Sequence, residues 1–482
     1  MSKELFRQSS WYFIGYGSGV ILSLVGFPLW TRYFSVQEYG MLSLIAATIS
    51  FVGPISRLGL SKAVLRFFSE FRSGKRDIPQ SSFYTTFFIG SLASGACVGV
   101  LFLGAILVLG PEGLGGRETQ VLFILAGMSI LIGPSSTIYA PFLRVEEKPK
   151  QFVSIRIFRT FLQFGLSVIL VFVFVLGLRG IYIAALTVNI LMLLFVVFML
   201  RRQNKLKLSA FSPGLLFDAL RFGVPLIAAQ LANHISNIGD RFVIQFLLGT
   251  EAVAVYAVGY GLTSHLKSVL TVIMFVVTPM YVSTWEKHGR GKTEEFLSSV
   301  LDYYLMAAIP GMILLSVFGR EIIVLLASAK YESAGVLIPY LATPLVLHGA
   351  IAIYTAGIFI HKKTHLILYF TVSAGIINII LNFVLIPAMG IVGAAVATLI
   401  SYLFLIVLAN ILSSKFLTIR LNYRGIFNYI VASMVAVLLV RFVNIDMVFG
   451  ILLKVTIAVL IYSGVMITID HRIRCKVQMV FK

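Results

Sequence analysis

Several polar side chains recur along one apolar stretch of the sequence, between Gly223 and Gly249. Residues three or four positions apart lie on the same face of a helix, and this spacing links Gln230, Asn233, Asn237, Asp240 and Arg241. Ionisable side chains are costly in lipid, so such a stripe favours a face that lines a water-filled cavity. The alternative is hydrogen bonding between neighbouring helices, which Asn and Gln often provide. Adjacent residues point about 100° apart on a helix, so no direct pair of Asp240 with Arg241 is implied.

The other ionisable side chains inside apolar stretches are nearly all basic. Together with Arg241, Asn233 and Asn237, they are predicted to bind a ligand: Arg32, Arg57, Lys62, Arg66, Arg156, Arg159 and Lys267. Arginine forks match phosphate oxygens and lysine supplies a compact charge, so a cavity with these cations and few acids favours a diphosphate. For the arginines near span ends, the alternative is that they reach out to lipid headgroups. Lys267 is too deep in its span for that alternative.

The elements that must position these residues are membrane-spanning helices. Of the 482 residues, 59% are hydrophobic and only 12% are charged, and long apolar runs recur from Ser10 almost to the C-terminus. A helix needs about 20 apolar residues to cross a bilayer, whereas a strand needs about 10 of alternating character. We therefore predict an all-α polytopic membrane protein with about 14 transmembrane helices. The second predicted span covers residues 39–65, and residues 318–333 are too polar to cross and are expected at the outer interface.

The formal net charge of +20 could indicate a nucleic-acid partner. However, the basic residues are spread over many short loops, and no aromatic-rich basic module accompanies them, so we expect no nucleic acid. When the N-terminus is placed inside, Lys and Arg concentrate in the even-numbered loops and in the tail. The positive-inside rule then predicts that both termini are cytoplasmic.

An internal repeat is visible at an offset near 210 to 215 residues. YFSVQEYGMLSL at Tyr33 resembles LLGTEAVAVYAV at Leu247, and LGLRGIYIAALT at Leu176 resembles IPAMGIVGAAVAT at Ile386. An offset of an even number of helices indicates two parallel repeats. We predict two six-helix lobes, residues 1–207 and 208–414, followed by two extra helices and a basic cytoplasmic tail in residues 415–482.

Four segments resemble motifs of a known family: RYFSVQEYG, GLSKAVLRF, DRFVIQFLLGTEAVAVY and LIPAMGIVGAAVATLISY. They look like the polysaccharide transporter branch of the multidrug/oligosaccharidyl-lipid/polysaccharide exporter superfamily, over about residues 5 to 415. The resemblance implies a flippase of the bacterial cytoplasmic (inner) membrane that works by alternating access. Its substrate would be an undecaprenyl-diphosphate-linked oligosaccharide, such as an O-antigen, capsule or exopolysaccharide repeat unit. The expected partners are this lipid, membrane lipids and other polysaccharide-assembly proteins.

Three alternatives stay open. A flippase for a lipid-linked peptidoglycan precursor would use the same cations, whereas a cation-coupled multidrug exporter would need acidic residues in both halves. A polysaccharide polymerase or ligase would need large outer loops, and those expected here are short.

No Walker loop or other catalytic motif is evident, so we predict no enzymatic activity and no cofactor. Cys97 and Cys475 are too far apart to suggest a metal cluster. Coupling to H⁺ or Na⁺ is expected at Asp240, and His234, His265 and His348 are candidate proton carriers or packing residues.

The predicted topology can be tested with two single-cysteine tags in a cysteine-free background. A tag in the loop between Lys287 and Lys292 should react only from the cytoplasmic side, whereas a tag at Thr250 should react only from outside. Labelling with a membrane-impermeant maleimide in intact cells and in inverted vesicles measures this. Labelling of both tags from the same side would contradict every depth inferred above.

Overall fold

The computed structural model describes residues 3–73, 78–442, 450–470 and 474. The side chains of residues 3–16 and of some later positions, including residues 265–273, lie outside the description. Within the described ranges the secondary structure is helical, without strands. The first eight helices are α1 (Lys3–Tyr33), α2 (Val36–Arg57), α3 (Leu60–Arg72), α4 (Gln80–Gly113), α5 (Arg117–Thr137), α6 (Tyr139–Val145), α7 (Pro149–Val168) and α8 (Gly177–Arg202).

The second half of the chain is also helical. It contains α9 (Pro213–Leu248), α10 (Thr250–Leu326), α11 (Ile338–Tyr354), α12 (Ala356–Ile360), α13 (Thr364–Met389), α14 (Ile391–Ser414), α15 (Tyr423–Arg441) and α16 (Gly450–Ile469). A π-helical turn, Ile169–Val173, follows α7, and short 3₁₀ helices cover Leu208–Ala210 and Ala329–Leu337. The described residues include 10 helical stretches long and apolar enough to cross a membrane. The all-α polytopic prediction is confirmed.

The chain forms two compact units. The first contains residues 1–26 and 41–235, and the second contains residues 27–40 and 236–482. The unit boundaries therefore fall inside α1, α2 and α9. The predicted lobes, 1–207 and 208–414, rest on the sequence repeat and stay a prediction.

One core of the first unit is rich in aromatic side chains. It joins the apolar face of α3 to the first turns of α4, to α6, to the last turns of α8 and to the start of α9. Phe83 and Phe87 lie with their ring centroids 4.8 Å apart, and the rings of Tyr84 and Phe142 are 4.7 Å apart. This packing fixes the ends of several helices together, so it holds the walls of the site described below.

A charged cluster lies beside this core, in the loop after α6. Glu146 accepts hydrogen bonds from the Tyr84 hydroxyl at 2.5 Å, from Lys148 Nζ at 2.6 Å and from Lys205 Nζ. Burial alone would raise the pKa of Glu146, but the hydrogen bonds from Lys148, Lys205 and Tyr84 hold this pKa below its ordinary value. Glu146 therefore stays ionised, and it ties the start of α4 to the connection that follows α8.

The predicted second span, residues 39–65, is divided in the structure. Leu58 and Gly59 both have positive φ, 44° and 69°, so α2 ends at Arg57 and α3 begins a new direction at Leu60. Backbone contact explains the break, because a Cβ atom added to Gly223 of α9 would lie 2.5 Å from the carbonyl oxygen of Leu58. Glycine at 59 and at 223 lets the two backbones meet directly.

In the second unit, α10 bends at Gly289, where φ is 69°. It then continues to Leu326, into the segment 318–333 that was expected at the outer interface, and the 3₁₀ helix Ala329–Leu337 follows. The two extra helices, α15 and α16, pack against this later part of α10. Asp302 of α10 accepts hydrogen bonds from Asn422 at 3.0 Å and from the Tyr429 hydroxyl at 2.8 Å, which anchors the start of α15.

The glycine contact gives a stability prediction. Gly223→Ala should lower the thermal unfolding temperature of the detergent-purified protein, because the new methyl group overlaps the Leu58 carbonyl, and overpacking costs about 1–3 kcal/mol. Gly214→Ala, on the same helix, is the matched control because a Cβ atom there meets nothing within 4 Å. The control should leave the unfolding temperature unchanged or raise it slightly. Equal temperatures for both variants would contradict the close backbone contact.

Candidate functional site

A cavity of about 510 Å³ lies within the first unit. Its wall contains three cationic residues, Arg57 from the end of α2 and Arg156 and Arg159 from one face of α7. Hydroxyl groups complete the polar part of the wall: Ser61, Ser136, Thr137 and Tyr139. The structure thus brings together three of the cations that the sequence analysis selected, and it adds hydroxyl donors that the sequence analysis did not select.

A buried amide fixes one of these cations. The Arg159 guanidinium donates to Oδ1 of Asn189 at 2.8 Å, and the Ser136 hydroxyl donates to the same oxygen at 3.1 Å. Asn189 lies on α8 and is only 8% exposed. A guanidinium has five N–H donors, so this contact orients Arg159 and leaves other donors for a ligand.

Arg57 lies within electrostatic range of both Arg159 and His234. Within the ranges that the structure describes, neither Arg57 nor Arg159 forms an ion pair with a carboxylate. Two positive charges close together in a cavity repel each other, and an anion placed between them removes that repulsion. The cavity is therefore electrostatically suited to an anionic group.

Two other predicted cations lie elsewhere in the first unit. Lys62 and Arg66 are on the exposed face of α3 and are not among the residues that line the cavity. The Arg66 guanidinium lies 4.5 Å from the ring centroid of Phe222 and 3.5 Å from Glu70. The cavity wall takes Ser61 from the first turn of α3 but neither of these cations, and their predicted role in ligand binding stays a prediction.

In the second unit, Arg32 caps the end of another helix. It donates to the carbonyl oxygen of Leu325 in the last turn of α10, and Lys330 donates to the carbonyl oxygen of Phe34 just after α1. The C-terminus of each helix thus receives a cation from the other segment, which the helix dipole favours. The structure assigns Arg32 this capping contact, and its predicted contact with a ligand stays a prediction.

Asp240 and Arg241 lie in a separate buried cluster of the second unit. Asp240 is 3% exposed and accepts hydrogen bonds from the Tyr256 hydroxyl and from the backbone N–H of Arg241. The guanidinium of Arg241 lies 3.8 Å from Asp240 and 4.7 Å from the ring centroid of Tyr260. The two neighbours therefore form a loose ion pair, which their separation on a helix did not imply. Asn237 accepts long hydrogen bonds of 3.5 Å from the hydroxyl groups of Tyr260 and Tyr402.

Further oxygen atoms complete this cluster from α13 and α14. The hydroxyl group of Thr398 lies 3.5 Å from that of Tyr256 and accepts from Asn378 at 3.4 Å. Asn382 donates to the backbone and side-chain oxygens of Asn378, and its own Oδ1 is buried without a hydrogen-bond partner. A carboxylate, hydroxyl groups and amide oxygens from four helices form the kind of donor set that a small hard cation prefers.

Five residues of these two sites were not predicted from the sequence: Asn189, Tyr256, Asn378, Asn382 and Thr398. A signal was available for three of them, because Asn189 and the pair Asn378 and Asn382, one helical turn apart, interrupt long apolar runs. Threonine and tyrosine carry no such signal, since both occur throughout membrane helices. Two predicted residues, Asn233 and Lys267, have side chains that lie outside the described part of the chain. Among the described residues, no group of three or more His, Cys, Asp or Glu side chains could hold a metal ion.

Comparison with solved structures defines the fold. The chain is similar to the lipid II flippase MurJ in an inward closed conformation, with a TM-score of 0.73 and 17% identity over 96% of this chain and 98% of that one. It is also similar to an inward-facing multidrug resistance MATE family transporter, with a TM-score of 0.67 and 17% identity, covering 84% and 94% of the two chains. The fold of this chain is therefore the one that these flippase and transporter structures share.

Sequence comparison then gives the family. The model of the polysaccharide biosynthesis protein family matches residues 5–285, more than half of the sequence, and the chain belongs to this family. Among its relatives is a protein of Haloferax volcanii named as the probable low-salt glycan biosynthesis flippase Agl15. The two are 22% identical over 429 residues, which cover 88% of this chain and 86% of the relative. The predicted membership of the polysaccharide transporter branch is confirmed.

The contact between Arg159 and Asn189 predicts a measurable coupling. Asn189→Leu and Arg159→Leu should each lower the unfolding temperature of the purified protein, and the double variant should lose less than the sum. The reason is that removing one partner leaves the other buried and unsatisfied, and coupled pairs deviate from additivity by about 0.5–3 kcal/mol. Arg202→Leu, 13 positions further along α8, is the control and should be additive with Asn189→Leu. Additive losses for the Arg159 pair would exclude the proposed contact.

Proposed function

We propose that the protein is a flippase for an undecaprenyl-diphosphate-linked oligosaccharide. It moves an O-antigen, capsule or exopolysaccharide repeat unit from the inner to the outer leaflet by alternating access. The observation that carries the proposal is the cavity of the first unit, where Arg57 and Arg159 lie within electrostatic range of each other and form no described ion pair. A diphosphate supplies the negative charge that these two residues require.

The membrane potential favours this direction of transport. With the cell interior negative, each negative charge that moves fully outward gains about 2.3 kcal/mol per 100 mV. The return of an empty cationic cavity toward the inside is favoured by the same field, to the extent that its charges move through it. The headgroup occupies the cavity while the lipid tail stays in the bilayer, so the costly step is the transfer of the polar group alone.

The comparisons support the proposal at the level of the class. The relative in Haloferax volcanii is named for glycan biosynthesis and for flipping, and MurJ is named for flipping lipid II. The cationic wall supports the diphosphate, which both a sugar repeat unit and a peptidoglycan precursor carry. The peptidoglycan precursor is thus the second candidate substrate. A multidrug exporter is less well supported, because the cavity wall contains cations and no carboxylate.

The buried cluster around Asp240 is proposed to couple transport to H⁺ or Na⁺. Asp240 has a single strong side-chain donor, Tyr256, and a loose contact with Arg241, and the unpaired oxygen of Asn382 adds an acceptor within the same group of helices. Because the donors come from α9, α10, α13 and α14, an ion bound there links four helices. Ion binding would therefore change the stability of one arrangement of these helices relative to another.

The cellular setting follows the same reasoning. The chain is a multi-pass membrane protein, and we place it in the bacterial cytoplasmic membrane with both termini inside. The two lobes of the sequence repeat are proposed to rearrange around the substrate. Partner proteins of polysaccharide assembly would deliver the lipid-linked oligosaccharide and receive it, and we assign no catalytic step to this chain.

Flipping rates of cavity variants test the main proposal. Arg57→Gln and Arg159→Gln should each lower the rate in proteoliposomes by about ten-fold or more, because each removes a charge-assisted hydrogen-bond donor. Lys267→Ala should strongly impair flipping and Lys267→Arg should retain part of it. The control is Lys454→Ala on α16, outside the repeated core, which should change little. Wild-type rates for correctly inserted Arg159→Gln and Lys267→Ala proteins would overturn the cationic mechanism.

Ion coupling has its own test. An imposed Na⁺ or H⁺ gradient should stimulate the wild-type protein, whereas Asp240→Asn should insert at a normal level and lose this stimulation. The reason is that the amide cannot supply the negative charge that holds the ion. Glu118→Gln, at a carboxylate that is 77% exposed and pairs with Arg179, is the control and should keep the stimulation. Full activity of Asp240→Asn under every gradient would remove the role of Asp240.

A further inference from the structure

The wall of the cavity in the first unit is partly aromatic as well as cationic. Tyr139 of α6, Phe152 of α7 and Phe195 of α8 line the same cavity as Arg57 and Arg159. The rings of Tyr139 and Phe195 meet edge to face with centroids 6.0 Å apart. The Tyr139 hydroxyl accepts a hydrogen bond from Gln203 at 3.1 Å, just beyond the end of α8. The aromatic residues therefore come from three segments and form one group.

The aromatic residues and the fixed cation occupy different ends of the cavity. On α7, Phe152 precedes Arg159 by seven positions, which corresponds to a rise of about 10 Å along the helix. On α8, Asn189 precedes Phe195 by six positions, a rise of about 9 Å. Since α7 leaves the end of the unit that holds Glu146 and α8 returns to it, the two helices place the aromatic residues at that end. The segment that joins α5 to α6 gives the same order, because Ser136, which contacts Asn189, precedes Tyr139 along a chain that continues to Glu146.

Tyr139 belongs to the nearby aromatic core at 7% exposure, and Phe152 and Phe195 pack against that core. Phe83 and Phe142 of the nearby core are fully buried, at 0% exposure. Phe158 on α7 and Phe198 on α8 are more than half exposed and do not line the cavity. Phe152 and Phe195 are half-buried and keep accessible surface that lines the cavity. They therefore pack against the core and also present accessible surface to the cavity.

We propose that this aromatic end, formed by Tyr139, Phe152 and Phe195, binds the sugar that is attached to the diphosphate. The inference rests on the proposed function, which assigns the diphosphate to Arg57 and Arg159. One face of a pyranose ring is built mainly of C–H groups, so it packs on an aromatic ring and loses apolar surface to water. In a sugar diphosphate, the charged phosphates and the C–H face of the sugar follow one another along the molecule. In the cavity, the cationic end and the aromatic end follow one another along α7 and α8 in the same way.

The assignment orients the substrate. The diphosphate lies beside Arg159 and Asn189, and the saccharide extends toward the end of the unit that carries Glu146 and Lys148. Aromatic packing accepts many pyranoses, whereas the hydroxyl groups of Ser61 and Tyr139 on the same wall discriminate among them by hydrogen bonding. The aromatic end thus contributes affinity for sugars as a class, and the charged end contributes affinity for the lipid diphosphate.

Binding to two probes tests the proposal with the full-length protein in nanodiscs. The probes are undecaprenyl diphosphate and the same lipid carrying one N-acetylglucosamine. The wild-type protein should bind the sugar-bearing probe more tightly. Phe195→Leu should weaken binding of that probe by about 5- to 10-fold, in line with the loss of an aromatic contact, and should leave binding of the sugar-free probe unchanged. Phe195→Trp should retain the preference, and Phe198→Leu, on the same helix outside the cavity, should behave as wild type.

The outcomes separate this inference from the function on which it rests. Equal affinity of the wild-type protein for both probes, or an equal loss for both in Phe195→Leu, would overturn the sugar site. Phe152→Leu repeats the test if Phe195→Leu does not fold, as judged by its unfolding temperature. Arg159→Gln should weaken both probes. If Arg159→Gln weakens neither while Phe195→Leu weakens only the sugar-bearing probe, the diphosphate assignment fails and the sugar site stands.

Discussion

The repulsion between Arg57 and Arg159 is the interaction on which the site depends. A charge inside a bundle of apolar helices loses solvation, and a second charge of the same sign adds to that cost. The protein keeps both side chains in a cavity that water can enter, and it holds one of them with a buried amide, Asn189. Under the proposed function, an anion bound between the two side chains removes their repulsion.

The buried charge discussed in the second unit is negative rather than positive. Asp240 lies among oxygen atoms and hydroxyl groups, with one cation, Arg241, at the longer distance of 3.8 Å. Tyr256 donates to Asp240, and Thr398 and Asn378 extend the hydrogen-bonded group from Tyr256. Under the proposed function, the first unit binds an anion and the second unit binds a cation, so the charges that cross the membrane partly offset each other.

The sequence predicted the class of fold and some of the site, for physical reasons that can be named. Apolar runs have to be helices in a bilayer, so the fold class followed directly from composition. Arg156 and Arg159 were selected because charges are rare in such runs, and they do line the cavity. Lys62 and Arg66 were selected by the same rule, but their side chains are exposed on α3, which begins after the break at Leu58, and a leucine with positive φ leaves no pattern in the sequence. Asn189 was passed over because it stands alone in its apolar run, whereas Asn233 and Asn237 belong to a polar stripe; its side-chain oxygen accepts from both Arg159 and Ser136.

The exchanged caps of Arg32 and Lys330 restrict how these segments can change during evolution. Each cation serves carbonyl groups of the other segment, so the loss of one leaves a helix end uncapped while the other cation stays in place. Positions 32 and 330, almost three hundred residues apart, thus hold the same two helix ends, and a substitution at either one lowers the stability of their junction.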